Sequence, residues 1–289
     1  MNLKQLEYFI AIAEEHQITA AARRLHISQP PLSYELAKLE KELGCQLVVR
    51  GPRSVSLTEA GKVLYSRATH LIAMAHATER EVASVGTGAG GTITIGVDPS
   101  CSGLMPQDRL IDLRRSFPNV EIEIRESATP GVMDLLDGGI ADIGVARTPF
   151  KSDGLRCRFA ATEPLVAVMP QEYEVGDETS CTVDDLADSP VIANRRLMPE
   201  LTKAFEVAGS KLRVPIIVDD PRTAALWARE GMGIALIPQS LLRVTDTGEQ
   251  FIKSLACREL ESRPAVIWKA QHAASDLFRT VIALLGDLS

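Results

Sequence analysis

Apolar residues at Leu3, Leu6, Ile10 and Ala13 recur at helical spacing and predict a first helix over Leu3–Glu15 with one buried face. Thr19 is placed to cap a short second helix, TAAARRL, and Ser28 to cap a third. Pro30 and Pro31 then fall in the third helix's first turn, where amide protons lack intrahelical acceptors, so they mark a start rather than a break. Leu32, Leu36, Leu39 and Leu43 form one apolar stripe, while Gln29 with Ser33 and Tyr34 with Lys38, each pair four apart, turn away from it. A buried leucine face backed by a polar outer face is what insertion into a DNA major groove requires. Gly44 ends the helix. Residues 46–50, a Gly51-Pro52-Arg53-Ser54 turn and Val55-Ser56-Leu57 read as a hairpin carrying Arg50 and Arg53, hence a wing.

From about Thr58 to Val85 the chain holds no proline, and Leu64, Ala68, Leu71, Ala75, Thr78 and Val82 alternate by four and three. A single long helix with such a narrow seam cannot bury itself, and pairing with a second copy is the economical solution. Four glycines within 86–91 follow and read as a hinge; no strand precedes them, which argues against a phosphate loop.

Beyond the hinge, short apolar runs alternate with amphipathic ones. Strands are predicted near 92–97, 120–124, 142–145, 165–169, 191–192, 214–218, 234–237 and 265–269, with helices near 104–117, 131–137, 182–186, 199–208, 223–229 and 273–285. This is an α/β plan with two open sheets, the chain crossing near 159–164 and returning near its end. Two such lobes enclose a ligand between them.

The domain plan is thus 1–58 for the winged helix-turn-helix, 59–85 for the linker helix, 86–91 for the hinge and 92–289 for an effector-binding domain. Within the last, lobe 1 takes about 92–161 and 266–289, and lobe 2 about 162–265.

Composition changes this picture in one respect. The formal net charge of the 289 residues is -7, which alone argues against a nucleic-acid partner. From Arg23 to Arg67, however, eight basic residues face four acidic ones, whereas 92–289 carries 21 basic and 29 acidic. The basic excess is confined to the module that must approach phosphates. Five scattered cysteines with no CxxC pair predict free thiols in a reducing cytoplasm. Neither an export signal nor a transmembrane run is readable, and the histidines show no metal spacing.

The run Ile18-Thr19-Ala20-Ala21-Ala22-Arg23-Arg24-Leu25, then Ser28-Gln29-Pro30-Pro31-Leu32-Ser33, Leu39-Glu40, Leu43-Gly44, Leu47, Arg50 and Leu57-Thr58-Glu59-Ala60-Gly61 closely resembles the LysR-type transcriptional regulators. Pro106, Phe117-Pro118-Asn119-Val120, Gly139 with Asp142, Pro190 and Gly231-Met232-Gly233-Ile234-Ala235-Leu236-Ile237-Pro238 extend the resemblance to that family's effector domain. It implies an all-α winged helix-turn-helix head, a long dimerisation helix and a C-terminal α/β domain of two Rossmann-like lobes, similar to periplasmic binding proteins. It also implies homotetramers, an imperfect dyad operator in double-stranded DNA, and a small effector in the interlobe cleft. Gln17 departs from the family's more frequent serine and removes one possible cap, and Val48 or Val49 stands where phenylalanine is frequent.

The candidate DNA-contacting residues are Ser28, Gln29, Pro30, Ser33, Tyr34, Lys38, Arg50 and Arg53. The candidate effector contacts are Ser100, Cys101 and Ser102 beyond the first strand, Thr129, Arg147, Asn194, Arg195, Asp220 and Thr223. Cys101 stands at a helix start, where a thiolate is favoured. An arginine such as Arg147 facing the cleft favours an organic anion, a carboxylate or sulfonate; Asp98 and Asp220 favour a ligand with donors, and both readings stay open. No nucleophile-base pair, carboxylate pair or cofactor motif stands out, so the chain is expected to be a regulator without a cofactor, neither an enzyme nor a free-standing solute-binding protein.

Overall fold

The computed structural model describes residues 1–51, 54–87, 92–270 and 276–286. The chain divides into an N-terminal and a C-terminal unit. The N-terminal unit runs α1 (Leu3–Glu15), α2 (Ile18–Arg24), α3 (Gln29–Leu43), β1 (Val48–Arg50) paired antiparallel with β2 (Val55–Leu57), and α4 (Glu59–Thr87). Asn2 starts α1 by accepting from the Gln5 amide, while the Gln5 side chain accepts from the Asn2 amide, so two orphan donors are satisfied reciprocally.

The face α1 buries is Leu6, Phe9, Ile12 and Ala13 rather than one starting at Leu3, which is 47% exposed. The helix is packed by α2 and α3 on one side and α4 on another, so its apolar stripe is wider than a single periodic row. Thr19 lies inside α2; Gln17 precedes that helix and makes no side-chain cap. Ser28 holds the extended cap position before α3, with the prolines in the first turn and no hydrogen bond from its hydroxyl. Leu32, Leu36 and Leu39 are buried, whereas Leu43 is in the last turn and exposed.

Two devices join α3, the wing and α4. Glu40 Oε1 accepts from the amides of Leu47 at 2.8 Å and Val48 at 3.3 Å. Thr58 donates its amide to Leu47 O, donates its hydroxyl to Gln46 O, and accepts from the Gly61 amide, capping α4. At Gly61 a Cβ would stand 2.0 Å from Leu47 O, so only glycine lets α4 pass that close to β1. Further along α4, Ala68 is fully buried, while Val63, Leu71, Met74 and Val82 are exposed. Gly86 and Thr87 continue this helix, so the expected hinge does not begin at 86; its residues 88–91, like Arg53 of the wing, lie outside the described residues.

The C-terminal unit holds two sheets. The first contains β3 (Thr92–Val97), β4 (Glu121–Glu126), β5 (Ile143–Arg147), β6 (Leu155–Phe159) and β13 (Pro264–Lys269) in the order β4-β3-β5-β13-β6, with β13 antiparallel to both neighbours. The second contains β7 (Leu165–Met169), β8 (Ser180–Cys181), β9 (Pro190–Asn194), β10 (Arg213–Val218), β11 (Ile234–Pro238) and β12 (Phe251–Leu255) in the order β10-β9-β11-β7-β12-β8. Helices α5 (Gln107–Ser116), α6 (Thr129–Asp137) and α9 (Asp276–Leu285) belong to the first lobe, and α7 (Met198–Ala208) and α8 (Pro221–Arg229) to the second.

The central strands of each sheet are buried on both faces. In β3, Ile93, Ile95 and Val97 enter one core with Leu113, Phe278 and Val281. On the opposite side α6 lies so near that a Cβ at Gly144 would stand 2.8 Å from Leu136 Cδ1. The predicted helix at 182–186 is instead a succession of turns, because Asp185 accepts from both the amide and the hydroxyl of Thr182 and diverts the backbone. The predicted helix at 104–117 is a 3-10 turn over Pro99–Leu104 followed by α5, with Pro106 between them.

Candidate functional site

On the N-terminal unit, Gln29, Pro30, Tyr34 and Lys38 are exposed on α3, Ser28 is exposed at the cap position before it, and Ser33 is half-buried beside them. Tyr34 is 67% exposed, an unusual position for an aromatic ring with no protein partner to cover it. Arg50 is exposed on β1. The groups that hydrogen-bond base edges and phosphates thus project from one helix and its adjoining hairpin.

On the C-terminal unit, a cavity of about 320 Å³ opens between the lobes. Lobe 1 contributes Asp98, Pro99, Ser100, Ala128, Arg147, Thr148 and Pro149, and lobe 2 contributes Leu165, Asn194, Arg196, Leu197, Glu200, Asp219, Pro221 and Pro238. Residues 259–262, on the crossover back to lobe 1, close one wall.

Asp98 organises the lobe 1 side. Its Oδ1 accepts from the Ser100 amide at 2.8 Å and hydroxyl at 2.6 Å; its Oδ2 accepts from the Thr129 amide and hydroxyl, both at 2.7 Å. One carboxylate therefore starts both the Pro99–Leu104 turn and α6, where the helix dipole also favours it. Arg147, 3% exposed, pairs with Glu163 and donates to Ser100 O at 2.9 Å and Ser262 Oγ at 3.2 Å. Glu163 in turn accepts from the amide and hydroxyl of Ser240 in lobe 2 at 2.8 and 3.0 Å. Beside this ring, a Cβ at Gly103 would lie 2.0 Å from Ser240 O, so the lobes touch backbone to backbone there.

Arg196 reaches across the cleft. Its Nη2 donates to Arg147 O at 2.5 Å and Thr148 O at 2.9 Å, and its Nη1 lies 3.7 Å from Asp98 Oδ2. Burial pulls this guanidinium below its ordinary value, against the opposing pull of Asp98 and Glu200. A second bridge runs from Arg222 at the start of α8 to Glu126 on β4, with two bonds of 2.9 and 2.8 Å.

Of the sequence candidates, Ser100, Arg147 and Asn194 meet at the cavity. Thr129 lies just behind the wall, its hydroxyl spent on Asp98. Cys101 points into the lobe 1 core, where burial pushes its thiol up to about 11; a thiolate is disfavoured there, contrary to what the helix start alone suggested. Ser102 donates to Pro99 O. Arg195 lies outside on Asp219, while its neighbour Arg196 faces the cleft. Asp220 caps α8, and the Thr223 amide donates to Asp220 O; neither residue reaches the wall. Pattern reading missed Glu200, on the inner face of α7, and Glu259 to Ser262, which lie in a crossover without periodicity. Among the described residues no group of three or more potential ligands is placed to hold a metal ion, and no helix is long and apolar enough to cross a membrane.

The ring around Arg147 generates a stability prediction. Glu163→Gln leaves a buried guanidinium without its counter-charge and is expected to cost about 3–5 kcal/mol, measured by urea unfolding. The double variant Arg147→Met, Glu163→Leu recovers much of that loss; equal losses in both would show that the charge pairing is not the cause.

The family described as bacterial regulatory helix-turn-helix protein, lysR family, matches residues 3–62, and the LysR substrate binding domain matches residues 86–289. AlsR of Bacillus subtilis (strain 168) is 30% identical, with 83% of this chain and 81% of that protein covered. XapR of Escherichia coli (strain K12) is 30% identical, with 98% and 97% covered; both are HTH-type transcriptional regulators. The crystal structure of full-length CbnR complexed with its target DNA shares the fold, with a TM-score of 0.72 at 21% identity over all of both chains. A reading head with an exposed recognition helix, a linker helix and a two-lobed ligand-binding domain matched along almost its whole length are the parts of a transcription factor rather than an enzyme, and this chain belongs to the LysR family of sequence-specific DNA-binding regulators.

Proposed function

We propose that this regulator binds its small-molecule effector in the cleft between the two lobes, and that occupancy of the cleft alters its activity on DNA. The observation that carries this reading is the cavity itself: both lobes supply its walls, and Arg196 of lobe 2 is bonded to lobe 1 across it. A ligand that competes for Arg196 changes the contact between the lobes, which is the differential interaction that a ligand-driven shift requires.

On DNA, Gln29, Ser33, Tyr34 and Lys38 face the major groove, with Ser28 and Pro30 at the start of the same helix and Arg50 and Arg53 on the wing. Paired heads require self-association, and the exposed Val63, Leu71, Met74 and Val82 of α4 supply one apolar surface for it. A second apolar surface lies on the C-terminal unit at the edge strands β4 and β10 and their helices, where Ile111, Ile124, Ile217, Leu226 and Trp227 are all exposed. Two separate exposed apolar surfaces support a dimer of dimers, hence a homotetramer on an imperfect dyad operator. Such a protein works in the cytoplasm, with the DNA.

On an operator selected from random DNA by the purified protein, Gln29→Ala is expected to cost about 1–3 kcal/mol and to relax base preference at one position per half-site. Lys38→Ala instead weakens all sequences alike and reduces the salt slope by about 1; a sequence-dependent loss there would remove it from the phosphate contacts. In sedimentation the parent chain is expected as a tetramer and Trp227→Glu as a dimer, whereas a dimeric parent sinks the dimer of dimers. For the cleft, Ala128→Trp fills the cavity from an exposed wall position, and any compound that raises the melting temperature of the parent should no longer do so. A shift that persists in this variant places the effector elsewhere.

A further inference from the structure

Charged side chains join the two lobes at the crossovers, across the cleft and at its far edge, and they differ in burial. At the crossovers the side chains of Arg147 and Glu163 are 4% and 14% exposed, and Glu163 also accepts from Ser240. Separating that pair strands a buried charge, which makes this the fixed end of the cleft. At the far edge Arg222 and Glu126 are 32% and 44% exposed, although their two bonds of 2.9 and 2.8 Å have the fork geometry of a strong contact.

The topology places this outer pair away from the crossovers. Glu126 ends β4, the edge strand of the first sheet, whereas β6 and β13, which lead into and back from lobe 2, lie on the other side of that sheet. Arg222 stands in the first turn of α8, which follows β10, the edge strand of the second sheet. The same two stretches give Ala128 and Pro221 to the cavity wall, so the pair stands at the rim.

Releasing it costs little on either side. Arg222 keeps three bonds to Asp220 of its own lobe, at 3.1, 3.0 and 2.7 Å, and therefore stays paired and oriented. Glu126, nearly half exposed already, passes into water. Between the two ends, the bonds from Arg196 to Arg147 O and Thr148 O part with the same movement.

We propose, resting on the cleft reading, that Arg222 and Glu126 form a releasable catch: the lobes hinge about the Arg147–Glu163 network, and the cavity admits its ligand when the outer pair opens. Asp220 is the positioning residue that keeps Arg222 ready to re-form it. Because the outer pair is partly exposed, salt promotes opening, while the buried network at the crossovers is screened far less.

The test uses full-length Leu165→Cys, which puts a thiol at a buried position on the cavity wall. Its alkylation by N-ethylmaleimide is followed by peptide mass spectrometry, and the buried native thiols Cys101 and Cys181 report on unfolding of lobe 1 and lobe 2 in the same sample. Adding Glu126→Gln is expected to speed labelling at position 165 about two- to fivefold, the range an exposed ion pair commands. Arg222→Gln gives the same increase, and both together no more than either alone. Raising sodium chloride from about 50 to about 500 mM speeds the parent but not the Glu126→Gln variant. If Leu165→Cys fails to fold, Leu197→Cys carries the thiol on the same lobe's wall. Labelling indifferent to both substitutions, additive effects of the two, or equal acceleration at Cys101 and Cys181 overturns the catch. No effector enters this experiment, so its failure leaves the cleft reading standing; that reading falls when a melting shift survives Ala128→Trp.

Discussion

The pairing of Arg147 with Glu163 holds the two lobes of the C-terminal unit in one arrangement. Each charge is buried and survives only because the other is in contact and the remaining hydrogen-bonding capacity is filled by Ser100, Ser240 and Ser262. Arg147 belongs to lobe 1, Ser240 to lobe 2, and Glu163 and Ser262 to the two crossovers, which bridge each other there. The network thus gathers every segment by which the lobes are joined. It also sets the electrostatics of the cavity, because the arginine that most resembles an anion receptor is used to hold the scaffold together.

How much of this the sequence disclosed depends on whether a residue's task is local. The third helix was legible because its leucine stripe and its first-turn prolines act within one helix, and β3, β7 and the neighbouring strands were legible as short runs of branched apolar residues. Strands β6 and β12 were not: Leu155–Phe159 and Phe251–Leu255 have mixed exposure and carry charged residues, Arg156, Arg158 and Lys253 among them. Lys253 is buried and answered by Glu174, a partner far away in sequence. In the cleft, Arg195 and Arg196 follow the same strand end and differ only in the direction they face, which no spacing argument resolves. Glu200 gives no such signal, because an acidic residue early in a helix is ordinarily a dipole partner.

The motif residues of the head acquire physical reasons once seen in three dimensions. Glu40 bonds the first amides of the wing. Thr58 and Gly61 fix the departure of α4 through one hydroxyl and the absence of one methyl group. These motif residues thus act at the joints between elements rather than on the exposed face of α3.

The position of β13 has a consequence for how the molecule is made. It lies inside the first sheet, between β5 and β6, yet follows every strand of the second lobe in the chain. During synthesis, lobe 2 can assemble as soon as Leu255 has left the ribosome, whereas lobe 1 waits with a gap in its sheet until Lys269 emerges. Through that interval β5 lacks its neighbour on one side and β6, whose partner in the sheet is β13, has none at all, so the order of translation makes the ligand-binding domain mature from its inserted lobe outward.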